Sequence, residues 1–230
     1  MSTSGTANWN INILDIIEEA YERVGIEVKG GYEIRTARRS LNLLSMEWAN
    51  RGLNLWCVDQ ETLSLTPGTA TYPLGTDTID VLEGVIRTYA GQTNQQTDIA
   101  ITRISFVTYN TLPNKLLRGT PIQYYVARDR DNPEITFWQV PDDTISRQFV
   151  YYRLRRQQDV GTNANNNMDV PFRFVPAMIS GLAYQLACKR PEAFARIPEL
   201  KAMYEEDFQR AADEDRQRSA VMLVPGGYGW

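Results

Sequence analysis

The stretch Tyr32-Glu33-Ile34-Arg35-Thr36-Ala37-Arg38-Arg39-Ser40-Leu41-Asn42-Leu43-Leu44-Ser45-Met46-Glu47-Trp48-Ala49-Asn50-Arg51-Gly52 decides the fold class of this chain. Its apolar side chains Ile34, Ala37, Leu41, Leu44 and Trp48 recur at alternating steps of three and four, the pattern of a helix packed on another helix. Glycine at position 52 is a natural stop. Just upstream, Ile13, Ile16, Ile17, Ala20 and Val24 fall on one face of a second helical pattern that ends at Gly25. Only a short loop with a Gly30-Gly31 pair separates the two, which predicts an antiparallel helical hairpin.

Downstream the texture changes. Short β-branched runs are predicted as strands over 54–58, 61–65, 70–73, 81–89, 97–102, 122–129, 134–140 and 149–155. Turn clusters such as Thr66-Pro67-Gly68 and Asp131-Asn132-Pro133 punctuate them. Residues 104–110 read as a short helix between strands. With no helix long enough for a parallel crossover, the region is expected to be antiparallel and meander-like. Residues 157–169 form a polar loop.

Helical patterns return after Pro171. Residues 172–189 are apolar on most sides and predict a central helix. Pro198 opens a last helix to about residue 218, with a stripe of Leu200, Met203, Tyr204, Phe208 and Ala211. The expected class is therefore α+β: a four-helix bundle from N- and C-terminal hairpins, an inserted antiparallel β region, and an extended C-terminal arm. The corresponding segments are an N-terminal arm (1–11), the hairpin (12–52), the β-rich region (53–170), the C-terminal helices (171–219) and the arm (220–230). Leu41, Leu44 and Trp48 are expected to meet Leu182, Leu186 or Phe208.

Composition narrows the chemistry. Hydrophobic residues make up 43% and charged residues 23% of the 230 positions, enough for a sizeable core. The net charge of −4 argues against a protein built to grip a phosphate backbone, which usually carries a basic excess. There is no histidine, which removes the commonest general base, the commonest metal ligand and every Ser-His or Cys-His pair. Cys57 and Cys188 lack metal-ligand spacing and are expected as reduced, buried thiols. Residues 1–10 are polar without a basic flank, so no signal peptide is expected. No apolar stretch approaches the roughly 20 residues of a membrane helix.

Two arginine clusters are the candidate binding features. Arg35, Arg38 and Arg39, with Asn42, lie on the helix face away from the apolar stripe. They read as a solvated face, a phosphate site or a subunit interface. Arg153, Arg155 and Arg156 follow Tyr151 and Tyr152. They read as ordinary strand alternation, a lining for a DNA channel, or a platform for stacking single-stranded bases. No Walker loop is present, and Gly226-Gly227-Tyr228-Gly229 neither follows a strand nor opens a helix, so it is no dinucleotide loop. The carboxylate neighbours Glu205/Glu206 and Asp142/Asp143 read as solvated charge. No catalytic residue, metal or cofactor is expected, and the chain is not expected to be an enzyme. Val224, Pro225, Gly226, Gly227, Tyr228, Gly229 and Trp230 close the chain. Glycine and proline forbid a helix there, yet two large aromatics remain, which suggests a docking arm.

The string Ile13-Leu14-Asp15-Ile16-Ile17-Glu18-Glu19-Ala20-Tyr21-Glu22-Arg23-Val24-Gly25-Ile26, followed by Ala37 to Trp56, resembles the opening of the head-to-tail adaptors of short-tailed double-stranded DNA phages. That family is also called tail tubular protein A, gatekeeper or packaged-DNA stabilisation protein. Trp48, Gly52 and Trp56 at steps of four carry much of the likeness, which spans residues 11–56, about a fifth of the chain. The resemblance implies a structural virion protein: a homo-oligomeric ring of twelve subunits below the portal protein, joined to the tail nozzle and fibres. It implies that DNA crosses the lumen during ejection without specific binding. It further implies a C-terminal arm that reaches the portal, synthesis in the host cytoplasm, and residence in the neck or tail. A chain without a basic excess suits this role, because a strongly basic lumen would retard the DNA. The alternatives are another connector or nozzle component, or a nucleic-acid-binding module using either arginine cluster.

Overall fold

A computed structural model describes residues 5, 11–27, 30–52, 55–163 and 166–215. The fold is α+β. Its helices are α1 (Ile13–Val24), α2 (Gly31–Arg51), α3 (Phe106–Thr111), α4 (Val175–Ala187) and α5 (Ile197–Glu214). The chain divides into a helical unit, Met1–Leu55 with Gln158–Trp230, and a β unit, Trp56–Gln157. The proposed arm at 224–230 lies outside the described residues.

In the helical unit, α1 begins with a capping box. Asn12 Oδ1 accepts from the Asp15 amide at 2.9 Å, and Asp15 Oδ2 accepts from the Asn12 amide at 3.2 Å. It stops at Gly25, whose φ of 84° is costly for any residue with a Cβ. The Gly25 and Ile26 amides turn back to the carbonyl of Tyr21. The predicted stripe of α1 is buried, and so is that of α2 except for Ile34, which is half-buried in its first turn; Leu41, Leu44 and Trp48 are fully sealed.

α4 touches α1, α2 and α5, as its nearly all-apolar sequence predicts. Gly181 makes that closeness possible. A Cβ there would lie 2.9 Å from Leu44 Cδ2 and 2.8 Å from Tyr204 Cε2. Trp48 packs its ring on Phe208 at 5.4 Å and Phe174 at 5.5 Å, which brings the second and last helices together as expected. Its Nε1 donates to the Tyr204 hydroxyl at 2.9 Å. Met203, expected in the α5 stripe, sits on its flank and is 37% exposed. Cys188, expected to be buried, is exposed because it is the C-cap of α4, beyond the packed turns; Cys57 is buried.

Residues 158–163, grouped by sequence with the β region, make their contacts on α2. The Val160 amide donates to Asn42 Oδ1 at 3.0 Å, and Arg38 Nη1 donates to the Thr162 carbonyl at 2.6 Å. Val160 is almost fully buried. One apolar residue in a polar run is enough to anchor this loop.

The β unit contains β1 (Val58–Leu65), β2 (Thr71–Pro73), β3 (Thr78–Thr88), β4 (Thr97–Ala100), β5 (Thr102–Arg103), β6 (Arg118–Gly119), β7 (Gln123–Ala127), β8 (Glu134–Trp138), β9 (Val140–Pro141) and β10 (Arg147–Arg155). One sheet runs β1-β10-β3-β4 and another β2-β8-β7-β5, with β6 and β9 as a separate pair. The two larger sheets share a core in which Phe149 meets Phe137 at 5.1 Å and Tyr124 at 5.4 Å. Gly84 lets the Phe149 ring lie against β3, where a Cβ would come within 2.4 Å of it.

The meander expectation is corrected. β10 sits between β1 and β3, so the last strand pairs with the first. β5 lies parallel to β7, and β6 parallel to β9. Residues 104–122, with the short α3, are long enough to carry the β5–β7 crossover. The strand predicted over 54–58 is instead a 3₁₀ turn, Leu55–Cys57, leading into β1.

Candidate interaction surfaces

β10 places Arg153 on the same face as Phe149 and Tyr151, past the end of the aromatic core. Directly across the ladder stands Asp59, with Glu61 opposite Tyr151. Arg153 Nη1 contacts Asp77 Oδ1 at 2.6 Å and Thr78 Oγ1 at 2.9 Å, and its Nη2 lies 3.3 Å from Glu61 Oε1. Its side chain is only 11% exposed. The guanidinium holds the Asp77 carboxyl below its ordinary range. Gly75 passes so close that a Cβ would lie 2.7 Å from Arg153 Nη1.

Arg155 Nε pairs with Asp59 Oδ2 at 2.9 Å, and its Nη2 donates to the Trp56 carbonyl at 3.2 Å. Arg156 Nη2 donates to the Arg130 carbonyl at 2.7 Å. Tyr151 is buried and stacked on Phe149 at 4.9 Å. The run that suggested base stacking is therefore tied up: Arg153 and Arg155 are neutralised by acids, and one of the two tyrosines is core. A sequence signal for this existed. Asp59 and Glu61 alternate at the same step of two as Arg153 and Arg155, which is complementary charge on paired strands.

The carboxylate neighbours are also engaged. Asp142 receives Thr144 and Arg147, which hold its carboxyl down to about 2. Arg147 is almost fully buried and reaches Asp142 Oδ1 at 2.6 Å and Thr120 Oγ1 at 3.0 Å. Glu205 takes both Nη atoms of Arg51 at 2.8 and 2.9 Å, and Glu206 pairs with Arg210.

On α2 the predicted cluster divides in two. Arg38 and Asn42 hold the 158–163 loop, whereas Arg35 and Arg39 are exposed. Neither Arg35 nor Arg39 has an ion-pair partner within 4.0 Å among the described residues. At about 100° per residue, Tyr32, Arg35, Arg39, Leu43 and Met46 share one narrow arc opposite the buried stripe. Tyr32, Leu43 and Met46 are 68%, 56% and 62% exposed. Sequence reading of the arginines missed these apolar companions, although the same helical spacing contains them.

α1 has a contrasting outer arc. Asp15, Glu18 and Glu22 face away from its core and are exposed. A shallow depression at its C-terminal end is lined by Glu18, Tyr21, Glu22, Gly25, Ile26 and Glu27. Among the described residues, no helix is long and apolar enough to cross a membrane.

No curated protein matches the chain. The family described as SU10 adaptor protein matches residues 11–226, reaching far beyond the hairpin that carried the sequence likeness. The chain belongs to the SU10 adaptor protein family, a phage adaptor family whose members are structural proteins of the virion neck or tail and interact with portal and tail components.

Proposed function

We propose that this chain is the head-to-tail adaptor itself: twelve copies form a ring below the portal, extend the DNA channel, and present a platform to the tail nozzle and fibres. The observation that carries the reading is the family match over nearly the whole chain, helical and β units alike. α1, α2, α4 and α5 act in it as one four-helix bundle, the rigid frame from which the β unit is inserted. Val224 to Trp230 act as the arm that docks on the portal.

The ion pairing of Arg153 and Arg155 suits a wall along which DNA slides, because cations already neutralised by carboxylates do not displace counterions from the passing DNA and so do not hold it. The role needs no catalytic group and no cofactor. Imaging of intact particles tests the reading. The chain is expected as a twelvefold ring between portal and nozzle. A position elsewhere in the particle, or a single copy per particle, would refute it.

A further inference from the structure

The outer arcs of α1 and α2 are unlike in charge and both open to solvent. Arg35 and Arg39 on α2, which have no carboxylate partner among the described residues, stand among three large apolar side chains, and Arg39 Nη2 donates only to the Thr36 hydroxyl of its own helix, at 3.5 Å. Glu18, Glu22 and Glu27 on and beyond α1 are exposed and have no ion-pair partner within 4.0 Å among the described residues. A helix that shows Leu43 and Met46 to water on the face opposite its core presents apolar area that a folded monomer does not use.

Phosphate would satisfy Arg35 and Arg39 but has no use for Leu43 and Met46, so the mixed stripe fits protein better than DNA. Its charge is complementary to one surface already on this same chain, the outer arc of α1. We infer that α2 docks through Tyr32, Arg35, Arg39, Leu43 and Met46 onto Glu18, Glu22 and Glu27 of a neighbouring copy. The contact joins two different faces, so it is heterologous, and repetition of such a contact generates a closed ring or an open helix. This inference rests on the ring reading above and names the surface that builds it.

The test uses particles of the phage that encodes the chain, with photo-reactive benzoylphenylalanine replacing Met46. Irradiation should give a product of twice the chain mass, with the cross-link in residues 13–27 of the second copy. A cross-link to DNA, to another protein or to residues 216–230, or no cross-link, overturns the inference. Charge exchange supplies a second arm that does not depend on the probe. Arg35→Glu with Arg39→Glu should cut incorporation into particles on the order of tenfold, the effect of about 1.4 kcal/mol. Adding Glu18→Arg with Glu22→Arg to the same chain should restore it, with unchanged thermal melting of each purified protein. Normal incorporation of the arginine variant, or no rescue, refutes the pairing. Copy number and position at the neck are read in the same particles. Many copies at the neck without the cross-link sink this interface alone, whereas one copy, or none at the neck, sinks the ring reading.

Discussion

Tyr204→Phe removes one oxygen from the helical unit and leaves a fully buried indole N–H without its acceptor. The Tyr204 hydroxyl accepts from Trp48 Nε1 at 2.9 Å and lies 3.1 Å from Glu47 Oε1, to which it donates. Trp48 is sealed between Phe174, Phe208 and the α4 side of the unit, so water does not replace the lost partner. Stranding a buried donor costs about 1–3 kcal/mol. With Trp48→Phe already in place, that donor is gone and the tyrosine change removes only the partly exposed bond to Glu47, worth about 1 kcal/mol. Both backgrounds lose the Glu47 bond, so the double-mutant cycle should show a coupling equal to the stranding cost, about 1–3 kcal/mol. Urea unfolding followed by circular dichroism at the helical band is the assay, because the β unit can unfold in a separate transition. Additivity within about 0.5 kcal/mol, or a neutral Tyr204→Phe, would refute the claim that this bond organises the junction of α2, α4 and α5.

Three further outcomes are expected. Gly181→Ala should lower the urea midpoint, because overpacking against Leu44 and Tyr204 costs about 1–3 kcal/mol and exceeds the helix-propensity gain of up to about 1 kcal/mol; an unchanged or higher midpoint would contradict the close approach. Asp142 has a folded-state pKa depressed to about 2, so its contribution is present above the ordinary carboxylate range and is lost as pH falls through about 2. Asp142→Asn should therefore lower the thermal midpoint at neutral pH and flatten its dependence on acid, and an unaltered acid profile would count against the Thr144 and Arg147 contacts. Deletion after Ser219 should leave thermal stability unchanged and abolish joining to the portal; normal assembly on the portal would end the docking-arm proposal.

The two N-terminal helices were legible as helices because an amphipathic helix writes its buried face into one short window. Ile13 to Val24 and Ala37 to Trp48 each carry the full period, and Asn12 and Gly25 mark the ends of the first helix by local chemistry alone. Trp48 against Phe208 was legible for the same reason, since the apolar stripes of α2 and α5 each needed a partner and α4 alone does not cover both. Most strands were also readable, although the run at 54–58 is a 3₁₀ turn and the two-residue β6 gave no pattern, but strand order was not. A period of two tells which face is buried and says nothing about the neighbour. β10 between β1 and β3 therefore had no local signal, and the fate of Arg153 hung on that pairing. The segment 158–163 was readable as a loop, but its attachment to α2 was not: its composition is polar, and a single buried Val160 outweighs it.

Two sets of arginines thus differ physically, and salt separates them. Arg147, Arg153 and Arg155 are largely buried, with carboxylates at 2.6 to 2.9 Å, and mobile ions enter such pairs poorly. Arg35 and Arg39 face water, and any attraction they exert on Glu18 and Glu22 of another copy is screened over about 8 Å at physiological ionic strength. Raising salt from about 0.15 M to about 1 M shortens that length to about 3 Å, which leaves Tyr32, Leu43 and Met46 to hold the contact alone. Thermal melting of the isolated protein should then change little, while the yield of the α2–α1 cross-link falls when copies assemble in high salt. Equal loss of folding and of cross-link would mean that the exposed stripe is part of the fold and not of assembly. A cross-link yield that rises with salt would mean that its apolar side chains govern the contact and its charges do not.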